Sequence, residues 1–560
     1  MLALPVYGAE FKSVKIIPSS DPDSLETKAC GVFARIANTK AGCDLFAAKG
    51  RTLKIKLVRK DGYEYESYEL KSSGSTVTVS ASDSHGLMYG LGRVLHRSSF
   101  WGGKVVPGDM DGLRRPEKPV RGIYFATHFR NFYESAPLEE IRDYVEELAM
   151  WGYNAMVVWF DMHQYTGIDD PAARDMISRL AFILKAGRAV GMKSGLTMLA
   201  NEGYKTTPKE LRASRVPYTG FYGCEICPSK PGGTELIVRN RVEMLKVFAS
   251  LGIPVDSVWL WPYDQGGCTC PDCSPWGGNG FVKLTKVLAG EIRALLPSTS
   301  IVLSTWVFDY KDEDKGEWRG LADAFSKEKP WVDCILADSH GTFPAYLMSH
   351  PVPGGLPMIN FPEISMYMHN PWGGYGANPL PEHYHSIYTA AAPKLEGGYP
   401  YSEGIFEDFN KVQYANMYWD SSLTPEELTK EYVMSEFPVE FCDRICRDIF
   451  GLEKNFGMRT KFAKGRPDYV TIPGTDVGAK RIFEDLKDID SRLPEEARNS
   501  WRWRILLIRS ELDILLRESG GRFTGEADEL FLELIRISHL EKADRCLRPP
   551  FTGKMTAIPN

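Results

Sequence analysis

From Val120 onward the chain repeats one rhythm: a short apolar run, a polar turn, an amphipathic stretch, then another apolar run. Runs of this length alternating with helical periodicity read as parallel strands joined by crossover helices. Eight strands follow the pattern: Val120–Thr127, Ala155–Asp161, Lys193–Leu199, Ser257–Tyr263, Ser300–Val307, Cys334–Asp338, Met358–Pro362 and Gly397–Tyr401. Helices are expected between them, for example at Leu138–Met150, Arg174–Val190, Glu235–Leu251, Phe281–Leu296 and Glu382–Ala391. Eight such units predict an α/β fold, a (β/α)8 TIM barrel with inserted loops. An open doubly wound sheet is the competing architecture. Against it, the chain carries no strand-turn-helix glycine fingerprint for a dinucleotide and no phosphate-cradling loop with Lys.

At 560 residues the chain exceeds what one hydrophobic core holds, so further domains are expected. Residues 1–112 read as a small α+β domain. Its runs Thr52–Val58, Tyr65–Lys71 and Ser75–Ala81 alternate in polarity and are split by turn-rich pieces, which predicts antiparallel strands. Asp83 or Ser84 then caps a helix through Leu87, Leu91, Val94 and Leu95. A polar, Pro-punctuated join leads into the barrel, residues 113–423. Residues 424–560 read as a C-terminal helical domain, an antiparallel bundle. It opens on Thr424-Pro-Glu-Glu427, with Thr as N-cap and Pro in the first turn, and continues with helices at Ala479–Leu493, Glu495–Glu518 and Glu526–Arg545.

Charge narrows the partners. Lys and Arg total 67 against 73 Asp and Glu, a formal net charge of −6, with no basic excess to neutralise a phosphate backbone; nucleic acid is not an expected partner. No stretch reaches the roughly 18 consecutive apolar residues of a membrane span. The apolar start, Met1 to Ala9, lacks a basic front and is shorter than a signal peptide. It fits a cytoplasmic protein, or a periplasmic or secreted one whose signal has been trimmed. Nothing in the sequence sets an oligomeric state.

A barrel of this kind carries its active site at the carboxyl ends of its strands, so the residues after each strand matter most. The first is followed by His128, Arg130 and Asn131, the second by Asp161, His163 and Gln164, the third by Asn201 and Glu202. The fourth ends Trp259-Leu-Trp261-Pro-Tyr263-Asp264-Gln265. The fifth brings Trp306 and Asp309, and the sixth Asp338 and His340. The seventh brings Glu363 with His369, Asn370 and Trp372, and the eighth Tyr401, Glu403, Glu407 and Asp408. Carboxylates beside Trp and Tyr at one rim suit a carbohydrate: apolar sugar faces pack on aromatics, hydroxyls need carboxylate partners, and a glycosidic oxygen must be protonated as it leaves. Asp264 and Glu363 stand out because each follows an apolar run, where an acid is costly unless used or paired. Glu403 is a third candidate. Lone histidines such as His128, His163 and His340 serve equally as structural donors.

The sharpest spacing belongs to cysteine, of which there are eleven. Cys268-Thr-Cys270-Pro-Asp-Cys273 follows the fourth strand, and Cys224-Glu-Ile-Cys227 lies in the loop after the third. Cys227, Cys268, Cys270 and Cys273 can complete a tetrahedral structural zinc site. A disulfide, or free thiols in a rigid loop, fits the spacing too. Cys30 and Cys43 are placed to pair if the protein is exported.

Several segments resemble known carbohydrate enzymes. The stretch ending Asp83-Ser-His-Gly86-Leu-Met-Tyr-Gly90 resembles the α+β domain that precedes the barrel in β-N-acetylhexosaminidases, hyaluronidase-like hexosaminidases and α-glucuronidases, and the likeness continues into Pro119-Val-Arg-Gly-Ile-Tyr124. Asp264-Gln-Gly-Gly-Cys-Thr-Cys-Pro-Asp-Cys273 is similar to the Asp-Gly-Gly-Cys-x-Cys-x-x-Cys stretch of a bacterial family that includes endo-β-N-acetylglucosaminidases. Tyr401-Ser-Glu-Gly-Ile-Phe-Glu-Asp408 and Tyr432-Val-Met-Ser-Glu-Phe437 look like the barrel-to-bundle join of these enzymes. Hexosaminidases of this group carry an Asp-Glu pair after the fourth strand, the Asp orienting the acetamido group and the Glu protonating the leaving oxygen. This chain has Asp264-Gln265 there, which leaves Glu363 or Glu403 to supply the acid. α-Glucuronidases place their carboxylates on separate strands, as Asp264 and Glu363 are, and need a cation for the uronate, for which Arg130 is the candidate.

The resemblance implies a glycoside hydrolase acting on an oligosaccharide or glycan, most nearly β-N-acetylhexosaminidase-like, without a catalytic cofactor. Asp264, Glu363 and Glu403 would be its acids. His128, Arg130, Asp161, Trp261, Tyr263, Trp306, His340, Trp372 and Tyr401 would bind the sugar. The alternatives are an α-glucuronidase-like hydrolase of uronate-containing polysaccharide, an inactive carbohydrate-binding barrel, and a zinc-dependent hydrolase using the cysteines.

Overall fold

A computed structural model describes residues 9–127, 131–215, 222–263, 265–309, 314–339, 342–365, 376–455, 459–462, 469–472, 477–519 and 525–540. The N-terminal sheet runs Ser13–Ile17, Thr52–Arg59, Thr76–Ala81, Tyr68–Ser73, Gly112–Arg114 in spatial order. It is mixed rather than antiparallel throughout: Thr52–Arg59 pairs in parallel with both Ser13–Ile17 and Thr76–Ala81, and Tyr68–Ser73 runs antiparallel to Thr76–Ala81. For the first parallel pair the crossover is the helix Ser24–Ala41, unanticipated in the sequence; for the second the chain returns through Tyr68–Ser73. The Gly112–Arg114 strand carries the sheet just past the expected boundary.

The helix Ser84–His96 starts where expected, the Asp83 side chain accepting the N–H of Gly86. A Cβ at Gly92 would collide with the Met150 carbonyl, so glycine lets this helix press against the end of barrel helix Leu138–Met150.

The barrel is closed. Strands Val120–Phe125, Ala155–Trp159, Lys193–Leu199, Ser257–Trp261, Ser300–Ser304, Cys334–Asp338 and Met358–Phe361 pair in parallel in chain order. The eighth position is two short pieces, Gly397–Gly398 and Tyr401–Ser402, both paired to the first strand. The interior is filled by layers of side chains, as in a packed barrel core. One layer includes Tyr124, Trp259, Val302, Leu336 and Tyr399. The next, toward the carboxyl ends, is made by Trp159, Leu199, Trp261, Phe361 and Tyr401.

The C-terminal helices include Pro425–Glu436, Cys442–Lys454, Ala479–Arg492, Trp501–Glu518 and Gly525–Ile537. Thr424 and Glu427 form the reciprocal capping box, a feature whose loss costs about 1 kcal/mol. The expected single helix from Glu495 to Glu518 is broken: Glu495–Arg498 ends, and Trp501–Glu518 restarts. Arg502 at that restart reaches Asp408 at 2.7 Å and Glu147 at 2.8 Å, which ties the bundle to the barrel. Lys40 of the N-terminal domain donates to the Ser435 carbonyl at 2.7 Å and pairs with Glu436 at 3.2 Å. No helix among the described residues is long and apolar enough to cross a membrane.

Candidate active site at the carboxyl mouth of the barrel

The layer of Trp159, Leu199, Trp261, Phe361 and Tyr401 forms an aromatic floor, since each is the last or nearly last inward-pointing residue of its strand. Trp306 stands at the fifth strand's end, half-buried, with its ring 5.6 Å from Trp261 and 5.7 Å from Phe361. The next residue, Val307, has φ 53°. A β-branched residue is strained there, and such strain persists where the surroundings over-determine it, as at binding sites.

Two carboxylate residues are tied to Tyr401 of the eighth strand. Glu363 lies just past the seventh strand, is 4% exposed, and forms an isolated parallel bridge with Tyr401. Its Oε1 accepts a short hydrogen bond from Ser365, and its carbonyl accepts one from the Tyr384 hydroxyl at 3.0 Å. Glu403 is half-buried and accepts the Tyr401 hydroxyl at 2.8 Å. Burial, reinforced by Glu403, pushes the Tyr401 phenol well above its ordinary range, so it stays a donor. Glu407 is occupied structurally: its Oε1 accepts from Ser402 Oγ and from the N–H groups of Glu403 and Gly404 at 2.7–2.9 Å. That grip holds the turn presenting Glu403.

A second constellation follows the second and third strands. Glu202, fully buried, accepts from the His163 backbone N–H at 3.0 Å and from His163 Nδ1 at 2.8 Å. Asp161 lies 3.6 Å from the same nitrogen. The carboxylate beside Nδ1 makes that nitrogen a donor, and Nε2 lies 2.7 Å from the Gln164 amide nitrogen. The ring stacks on Tyr222 at 3.3 Å between centroids. Arg241 from helix Gly233–Ser250 lies 3.9 Å from Glu202.

The structure therefore brings Asp161, Trp306, Glu363, Tyr401 and Glu403 to one end of the barrel. Two expectations change. Trp261 is 3% exposed and serves as floor, and Tyr263 is fully buried with its hydroxyl donated to Glu317, so neither presents an open sugar-binding face. The strand ends at Trp261, which points into the packed interior; Tyr263 lies past its end, where the chain turns into the wall and Glu317, raised in pKa by burial, accepts the Tyr263 hydroxyl with the N–H groups of Gly277 and Asp309. His128, Arg130, Asp264, His340 and Trp372 lie outside the described residues, as do His369 and Asn370.

The sequence position of Glu202 marked it as a rim residue, but nothing local distinguished it from other acids. Tyr222 carried no signal beyond lying two residues before Cys224.

The sulfurs of Cys227, Cys268, Cys270 and Cys273 all lie within 4.8 Å of one another. None is in a disulfide, and Cys30 and Cys43 are also unbonded thiols, so the pairing expected for an exported protein is not formed. Cys224 stands apart from the cluster, donating to the Gly203 carbonyl at 3.2 Å.

No protein-family model matches the sequence, and no curated protein does. Solved structures share the fold at low identity. A family GH115 4-O-methyl-α-glucuronidase with specificity for decorated arabinogalactans aligns with a TM-score of 0.60 and 10% identity, over 96% of this chain and 78% of that one. A GH20 β-N-acetylhexosaminidase from Streptomyces coelicolor A3(2) aligns at 0.52 and 14%, over 77% and 92%. A GH138 enzyme targeting pectin rhamnogalacturonan II aligns at 0.54 and 9%, over 95% and 73%.

Proposed function

We propose that the chain is a glycoside hydrolase that cleaves its substrate at the carboxyl mouth of the barrel, β-N-acetylhexosaminidase-like in its action on a glycan. The observation that carries this reading is that Glu363, bridged to the Tyr401 backbone, and Glu403, bonded to the Tyr401 hydroxyl, stand at the barrel end that also carries the aromatic layer and half-buried Trp306. Glycoside hydrolysis needs two carboxyl groups flanking the bond, one protonated to release the leaving oxygen and one ionised as nucleophile, base or orienting group. The shared fold with GH20, GH115 and GH138 enzymes supports the same class.

Asp264 and Glu363 are the proposed catalytic pair, with Glu403 as the substitute acid. Tyr401 donates a hydrogen bond to Glu403 at 2.8 Å, which orients that carboxyl at the rim. Glu363, 4% exposed and bridged to Tyr401, accepts the Ser365 hydroxyl, which fixes the carboxyl at the strand end where an acid would act. Trp306 would stack against a sugar face, with Asp161, His128, His340 and Trp372 completing the subsites.

One observation favours an α-glucuronidase-like variant. Gln265 stands where the hexosaminidase pair has Glu, and a carboxamide cannot protonate a leaving oxygen, so the acids must come from separate strands. In that variant Arg130 would bind the uronate. Hydrolysis of a panel of aryl N-acetylglucosaminides, glucuronides and galactosides, with wild type beside Asp264→Asn and Glu363→Gln, tests both. Cleavage of one class that both variants lose supports the assignment. Full activity in both variants removes these residues from the chemistry, and glycan binding without turnover identifies a binding barrel instead.

A further inference from the structure

The proposed chemistry leaves four sulfurs behind the rim unused. Cys227 Sγ lies 3.7 Å from Cys270 Sγ and 3.9 Å from Cys273 Sγ, and every pair among the four is within 4.8 Å. A disulfide requires about 2.05 Å. Four sulfurs placed tetrahedrally about 2.3 Å from one zinc ion are separated by about 3.8 Å along each edge. We propose that Cys227, Cys268, Cys270 and Cys273 bind one zinc ion in a closed tetrathiolate site.

The four sulfurs share polar neighbours. Ser229 Oγ lies 3.0 Å from the Cys227 sulfur, 3.3 Å from that of Cys270 and 3.5 Å from that of Cys273. The backbone N–H groups of Ser229 and Cys270 are directed at the sulfurs two residues earlier, Cys227 and Cys268. Polar groups of this kind stand in the outer shell of metal sites and hold the ligands in place. Cys227, Cys268 and Cys273 are buried and Cys270 is half-buried. Four protein ligands fill the tetrahedron and leave no position for water, so the ion is structural and no reaction step passes through it.

The site joins two segments some 40 residues apart: Cys227 belongs to the loop after the third strand, and the other three follow the fourth. Asn201 already links the same loops, donating to the Ile226 and Gly267 carbonyls at 3.1 and 2.9 Å and accepting the Gly267 N–H at 2.9 Å. Upstream of Cys227 sits Tyr222, stacked on His163, and upstream of Cys268 sits Gln265 with φ 75°. The ion thus clips together the third and fourth rim loops, with the strained backbone at Gln265 held by the closure. This inference rests on the sulfur geometry and stands whether or not the barrel hydrolyses a glycoside.

The test is metal analysis of the full chain, produced in zinc-supplemented medium and purified without chelator. One zinc per chain is expected, released to a chromogenic dye as an organomercurial modifies four thiols. Cobalt substitution should give the intense thiolate-to-cobalt absorption of a tetrahedral sulfur site. Cys270→Ser should lower zinc affinity at least tenfold while Cys43→Ser, at an exposed thiol, retains full occupancy; circular dichroism checks that both are folded. If Cys270→Ser does not fold, the wild-type release stoichiometry decides alone. Metal-free wild type with four freely reactive thiols, iron in place of zinc, or a folded Cys270→Ser with undiminished zinc overturns the proposal.

Discussion

The Tyr401 hydroxyl donates to Glu403 Oε1 at 2.8 Å, while the backbone of the same tyrosine is bridged to Glu363. One residue of the eighth strand therefore sets both candidate acids. Tyr401→Phe keeps the ring that packs on Tyr124 and Phe361 but removes the donor. A hydrogen bond to a charged group contributes about 1.5–3 kcal/mol, so kcat/KM on the cleaved glycoside should fall about 10- to 100-fold. The same loss should lower the unfolding free energy by up to that amount, so rates are compared where circular dichroism shows both proteins folded. Unchanged kinetics would remove Glu403 from the site.

Glu202 and Arg241 are buried together behind His163. Glu202→Ala leaves the guanidinium without its carboxylate and His163 without its acceptor, and should cost about 3–5 kcal/mol in urea unfolding. Glu202→Gln keeps an acceptor for His163 and should cost visibly less. Equal stability of all three proteins would show that the pair contributes nothing.

Glu453 accepts the N–H groups of Glu382 and His383 at 3.0 and 2.8 Å, at the start of helix Pro381–Ala391. Burial nevertheless pushes its carboxyl up to about 7 from an ordinary 4.5. A carboxyl raised on folding adds stability below its unfolded value, and that contribution is lost as pH rises through the folded value. Glu453→Gln should therefore unfold at a higher temperature than wild type at pH 8, with the gap closing toward pH 5. A gap that widens on acidification would reverse the assignment.

Gly397 pairs with Val120 where the barrel closes, and its φ is 118°. An added Cβ would run into the Val120 carbonyl. Gly397→Ala should cost about 2–4 kcal/mol from strain and collision combined. Gly31→Ala is the contrast: it lies in helix Ser24–Ala41 with open space around it, and should stabilise by about 0.5–1 kcal/mol. Denaturant midpoints of the two variants check both signs.

Much of the scaffold was legible before any coordinates. Helix Leu138–Met150 and strands Lys193–Leu199 and Cys334–Asp338 appear with the boundaries read from the sequence, and the Thr424 capping box forms as written. These are local features: apolar spacing reports which face a segment buries, and a cap needs only residues three apart. The N-terminal sheet departs from expectation because alternation identifies a strand without naming its neighbour, and the buried face of the crossover helix Ser24–Ala41 carries the charged Glu26 and Lys40 at its two ends.

The site was legible only as a set of candidates. Rim position singled out Glu363 and Glu403, yet the same rule offered Glu407, which is consumed in holding a turn, and Tyr263, which is drawn into the wall by Glu317. Local pattern decided where strands, helices and rim loops fall, because periodicity is a property of a few neighbouring residues. Tertiary structure decided which rim groups meet: Tyr401 with Glu363 and Glu403, His163 with Glu202 and Tyr222, Cys227 with the cysteines some 40 residues on. Those meetings follow from closing the parallel sheet on itself, which sets loops from successive strands side by side regardless of how much chain separates them.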